Sequence, residues 1–183
     1  MSNQENLRTT TREGANELLG QLTPAAREAL LIKCWMSHDA RWFMAVANEY
    51  GLAVANRLNQ TAAHEIGKVE AYRVMRAVGR PPVESLDDYL LAQELFIGLL
   101  GPDLLDYRVV KVSDDTLQIQ VQRCFAHENA VRAGIQADYE CGVFARVTGW
   151  LAAVGLAYEL NPSLGKCSKC QGQVCAYTIT ISH

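Results

Sequence analysis

The sequence predicts an α+β fold in which N-terminal helices pack on an antiparallel sheet. Three observations carry that prediction. Four helix-patterned segments precede any strand, a hairpin pattern follows them, and a segment of period-two alternation closes the chain. With 183 residues, 49% of them hydrophobic and 20% charged, the chain supplies one core and too little length for two comfortable domains.

Residues 1–22 are largely polar and are expected to form a flexible arm, which leaves 23–183 as a single domain. Thr23-Pro24 supplies a cap and a first-turn proline, so a helix is predicted over 25–36. Ser37-His38-Asp39 carries cap-forming residues and is expected to interrupt that helix. Trp42, Phe43, Val46 and Ala47 then give a second apolar face up to Tyr50-Gly51. Residues 52–78 form the longest predicted helix, with a possible kink at Gly67 and a stop at Gly79 and Arg80-Pro81-Pro82. Ser85 followed by Asp87-Asp88 caps a fourth helix that ends before Gly101-Pro102.

Residues 107–112 and 116–122 alternate around the turn residues Ser113-Asp114-Asp115, the signature of an antiparallel hairpin. A short helix is expected over 126–134 and an apolar helix, buried on most sides, over 141–156. A short strand at 158–160 and a longer one at 175–181 complete the set.

A net charge of −3 provides no basic surplus for a phosphate backbone, so nucleic acid is not expected as a partner. The polar N-terminus lacks the apolar core of a secretory signal, and no apolar run approaches the about 18 residues of a membrane span. A cytoplasmic protein is expected. Six cysteines are too few for a disulfide-built scaffold, and clustered cysteines in a reducing compartment more often hold metal.

The strongest chemical signal is Cys167-Ser168-Lys169-Cys170-Gln171-Gly172-Gln173-Val174-Cys175. A Cys-x2-Cys turn brings two thiolates to one ion, and Cys175 returns a third. Cys141 is the preferred fourth ligand, with Cys124 or a histidine as alternatives. Zinc is the expected metal, and an iron–sulfur cluster suits the same set. A redox dithiol and plain thiols are the competing readings. Cys34 and Cys124 also read simply as small buried hydrophobes.

A second signal is the run from Trp35 to Phe43, in which His38 and Asp39 sit between Trp35 and Trp42. An imidazole beside aromatic rings can act as general base or ligand contact, while a capped helix junction is the plainer explanation. His64 and Glu65 open like a zinc-protease helix, but Lys68 stands where the second histidine is required. His64 with Glu70 and Arg73, and Arg123 with His127, are the remaining polar groups able to line a pocket; exposed charge pairs and a capped turn explain them as readily.

Taken together, the stretch 35–43 with its His-Asp-x-x-Trp-Phe element, the helix over 56–79, Arg123-Cys124, Cys141 and Cys167-x2-Cys170 resemble a family similar to the L-2-amino-thiazoline-4-carboxylic acid hydrolases. More distantly they resemble the 4-vinyl-reductase, or hydrocarbon-binding, domain. The resemblance covers most of residues 25–181. It implies the fold shared by 4-vinyl-reductase domains and vesicle-tethering subunits, often dimeric, with a pocket for a small or hydrophobic ligand. It places His38 and Asp39 in the active or ligand pocket and Cys141, Cys167, Cys170 and Cys175 at the metal. This chain departs from the family in having only Gln171 to Val174, without prolines or acids, ahead of the last cysteine.

Two functions follow. One is a metal-containing hydrolase of a cyclic carbon–nitrogen bond, with His38 as base and Asp39 orienting it. The other is a non-catalytic sensor or carrier in which Trp35, Trp42, Phe43 and apolar helix faces hold a tetrapyrrole or lipid; the resemblance implies a homodimer in either case. A purely structural adaptor stands third.

Overall fold

Caps, prolines and glycines set most of the element boundaries. The computed structural model describes residues 3–80 and 82–182, with side chains from Thr9 onward except Pro102. Met1 and Ser2 of the expected arm, Pro81 of the expected stop signal and His183 lie outside the described residues. The chain divides into two units, Met1–Arg41 and Trp42–His183.

In the first unit, helix α1 covers Asn3–Gly20, the stretch expected as an arm. After a turn, α2 begins at Pro24 and runs unbroken through Pro24–Tyr50, its residues from Trp42 onward belonging to the second unit. Thr23 opens it, its Oγ1 accepting from the Ala26 backbone N–H at 3.2 Å. The interruption expected at Ser37-His38-Asp39 does not occur. Serine, histidine and aspartate cost only tenths of a kcal/mol each inside a helix (about 0.5), and neither proline nor glycine stands there to break the backbone. Instead Arg41 Nη1 donates to the Ser37 carbonyl at 3.0 Å, one turn away. No residue of α2 is buried, so Cys34, expected as a small core hydrophobe, is exposed.

In the second unit, α3 (Leu52–Val78) ends on Gly79, whose φ of 63° is the left-handed conformation that costs glycine nothing. Ser85 caps α4 (Leu86–Leu100), accepting from the Asp88 backbone N–H. The strands β1 (Leu105–Lys111) and β2 (Thr116–Cys124) form the hairpin, with a bulge at Asp106/Tyr107. Helices α5 (Phe125–Arg132) and α6 (Val143–Ala153) follow, then β3 (Ala157–Asn161) and β4 (Cys175–Ser182).

The four strands lie in the order β1-β2-β4-β3, antiparallel throughout. The register pairs Leu117 with Ile179, Ile119 with Tyr177 and Val121 with Cys175, so the buried residues of β2 and β4 share one face. Against that face lie Leu86, Tyr89, Phe96 and Ile97 of α4 and Phe144, Val147, Trp150 and Leu151 of α6, in one continuous core. Helix α3 packs on α6. Among the described residues no helix is long and apolar enough to cross a membrane.

Candidate ligand site

Helix α4 reads Tyr89-Leu90-Leu91-Ala92-Gln93-Glu94-Leu95-Phe96-Ile97, which places Tyr89, Gln93 and Ile97 one above another at four-residue spacing. All three are buried. Between this helix face, the sheet and α6 lies a cavity of about 30 Å³. Leu105, Tyr107, Ile119 and Val121 form its sheet side. Gln93 and Ile97 stand on one flank, and Val143, Phe144, Val147 and Trp150 of α6 on the other.

None of these side chains is a carboxylate, a cation or an imidazole, and only Gln93, Tyr107 and Trp150 bring polar atoms. Two of the three are engaged elsewhere. Tyr107 Oη donates to Glu94 Oε1 at 2.5 Å, and Trp150 Nε1 donates to Glu70 Oε2 at 3.3 Å. Burial, and then the neighbouring Glu94 carboxylate, push the Tyr107 phenol well above its ordinary range, so it stays a neutral donor. Gln93 is 1% exposed, and neither its Nε2 nor its Oε1 has a hydrogen-bond partner. The Tyr89 hydroxyl, one turn earlier, has none either, and burial likewise raises that phenol.

On the far side of α6, toward α3, polar groups are joined in pairs. Arg146 holds Glu70 through two bonds, Nε to Oε2 at 2.8 Å and Nη2 to Oε1 at 2.6 Å. Thr148 Oγ1 donates to the Ala145 carbonyl, so the contact at 3.0 Å between His64 Nδ1 and Thr148 Oγ1 requires the proton on Nδ1. His64 is therefore a tie between α3 and α6, and Glu70 serves Arg146 and Trp150, not the Arg73 partnership considered from sequence. The helices approach backbone to backbone here. A Cβ on Gly149 would fall on the His64 carbonyl oxygen, and one on Gly67 on the Arg146 carbonyl oxygen.

The other sequence-predicted residues do not meet at this cavity. Trp35, His38 and Asp39 lie in the first unit, on exposed turns of α2. His38 borders a shallow, solvent-open groove with Lys33, Cys34, Ser37 and Arg41. Asp39 follows it directly, so the two side chains leave the helix roughly 100° apart. Trp42 is 67% exposed, whereas Phe43 packs edge-on against Tyr139 with ring centroids 5.9 Å apart. Arg123 reaches the Asp103 carbonyl and stands 3.8 Å from Glu128, while half-buried His127 lies on α5.

The cysteines behave differently. Cys141, Cys167, Cys170 and Cys175, together with Cys124, are close enough to hinder one another's ionisation. Burial is the main cause in each shifted thiol. It pushes Cys141 and Cys170 up to about 12 and Cys175 up to about 11. Cys170 is further held protonated by its hydrogen bond with Cys167. No disulfide joins the six. Among the described residues, however, no group of three or more histidine, cysteine, aspartate or glutamate side chains is arranged to hold a metal ion. The thiols of the Cys-x2-Cys turn thus lie within electrostatic reach of Cys124, Cys141 and Cys175.

Residues 26–171 match a family of unknown function, DUF6125. The chain belongs to DUF6125. That match carries neither a hydrolase nor a vinyl-reductase name. No curated protein sequence matches the DUF6125 chain. Among solved structures it is similar to a trafficking protein particle complex subunit 3 from Naegleria fowleri, whose structure has palmitic acid covalently bound. That similarity has a TM-score of 0.51 at 13% identity and covers 86% of this chain and 96% of the subunit. At this identity the likeness speaks for the fold alone, and it agrees with the vesicle-tethering type expected from sequence.

Sequence reasoning missed the cavity and Gln93. The signal was present: a neutral amide between Tyr89 and Ile97, at the spacing of an otherwise apolar helix face.

Proposed function

We propose that this protein is a non-catalytic binder of a hydrophobic small molecule, held between α4, the sheet and α6. The observation that carries this reading is the apolar cavity, whose wall offers no acid, base or nucleophile and whose single unengaged polar side chain is an amide. Palmitic acid on a protein of the same fold supports it. At about 30 Å³ the cavity has room for one or two water-sized groups. A longer ligand enters by displacing side chains, and Leu105 and Val143 of the wall are half-buried.

The test is to extract natively purified protein with organic solvent and identify released molecules by mass spectrometry. An apolar compound near one per chain, lost when Val147→Trp fills the cavity, is the expected result. No released compound, no binding of a fluorescent polyene fatty acid, and turnover of a cyclic amide would overturn the reading in favour of the hydrolase. Elemental analysis of the same anaerobic preparation answers the separate question of zinc or iron on the five thiols.

A further inference from the structure

We propose that Gln93 is the recognition group of this cavity and selects apolar molecules ending in a neutral carbonyl acceptor beside an N–H or O–H donor. Carboxamides, lactams and un-ionised carboxylic acids share that head. The inference rests on the binder reading and adds to it the chemistry of the ligand's polar end.

A primary amide is a planar pair, one donor edge and one acceptor edge a few ångströms apart. Buried polar atoms are ordinarily paired, and one left without a partner forfeits the hydrogen bonds it made with water. Here both edges of Gln93 are unpartnered at 1% exposure, inside a wall that is otherwise aliphatic or aromatic. Neither of the two other polar groups of that wall bonds to it, and neither has a proton left for Oε1, because those of Tyr107 Oη and Trp150 Nε1 go to Glu94 and Glu70. A water in the cavity would find its partners chiefly in the two edges of Gln93, at the low end of the usual two to four polar partners.

A second amide-like head satisfies both edges at once, Nε2–H donating to its carbonyl and its own N–H or O–H donating to Oε1. An ionised carboxylate does not. It has no proton to give Oε1, and no lysine, arginine or histidine lines the cavity to balance its charge.

The experiment compares two probes of one shape, octanamide and nonan-2-one, which differ in having NH2 or CH3 beside the carbonyl. Affinities of both for the full chain are measured by calorimetry in wild type, Gln93→Leu and Gln93→Met. The preference for octanamide over nonan-2-one is expected to fall about tenfold in both variants, the equivalent of one buried hydrogen bond. An unchanged preference while both probes bind overturns the role of Gln93 and leaves the binder reading intact. Failure of both probes to bind wild type overturns the binder reading and this inference together. Loss of folding in both variants also overturns it, since the amide would then be a structural partner.

Discussion

The two faces of the α6 layer treat buried polar groups in opposite ways. Toward α3, the polar side chains that tie the two helices are partnered: Glu70 with Arg146 and Trp150, and His64 with Thr148. Near the start of α6, Asn56 at 2% exposure donates to the Asp138 carbonyl and accepts from the Glu140 N–H. Toward α4 and the sheet, Tyr89 and Gln93 are at least as deeply buried and have none. The difference separates polar groups that build the fold from polar groups left over for something else. Removing the first kind should cost stability; removing the second should not.

The largest expected effect is at Glu70. Glu70→Ala takes the carboxylate from a pair whose side chains are 15% and 12% exposed, and should cost about 3–5 kcal/mol in urea unfolding. A loss under 1 kcal/mol would mean that α3 and α6 are not joined as described. Gly149→Ala comes next, at about 1–3 kcal/mol, because its methyl must displace the α3 backbone and not a side-chain end. Tyr89→Phe and Gln93→Leu should have the opposite sign. Each removes an unpartnered buried group and should leave stability unchanged or raise it by up to about 1 kcal/mol; a clear loss in either would show a partner in solution and erase the contrast between the two faces.

The smallest effects concern the thiols. Their folded pKa values lie above the ordinary 9.0, at about 12 for Cys141 and Cys170 and about 11 for Cys175. The fold therefore favours the protonated thiols: their contribution is fully present below pH 9 and is lost as pH rises from there toward 11 and 12. Stability should be level from pH 7 to 9 and decline beyond it, with the decline reduced in Cys141→Ala. At neutral pH, Cys34 should react with a thiol reagent well ahead of buried Cys124, Cys141, Cys167 and Cys175, which should become available only on unfolding.

Much of the architecture was legible because local chemistry wrote it. Gly79 at the end of α3, Ser85 at the start of α4 and the Ser113-Asp114-Asp115 turn each act within a few residues, and the matching elements fall where predicted. The same local rules misplaced a break in α2, because Ser37-His38-Asp39 can cap a helix or continue one, and only the surrounding turns decide. The nearness of Cys167 and Cys170 was legible from their spacing, whereas Cys124 and Cys141 come within reach of them only through the fold. The ties of α3 to α6 had no local signal, since His64 and Thr148, or Glu70 and Arg146, are 84 and 76 residues apart. Gln93 was passed over because a hydrophobic period tolerates one amide without changing its phase.

At Gly67 and Gly149 two helices meet with no side chain between them. Such a seam leaves little to compress, and α3 and α6 are expected to move together. Widening of the space beside Gln93 is then expected from α4, whose C-terminal cap is Gly101 at φ 115°. Amide exchange should record that asymmetry, with the protons of α4 traded for deuterium before those of α6.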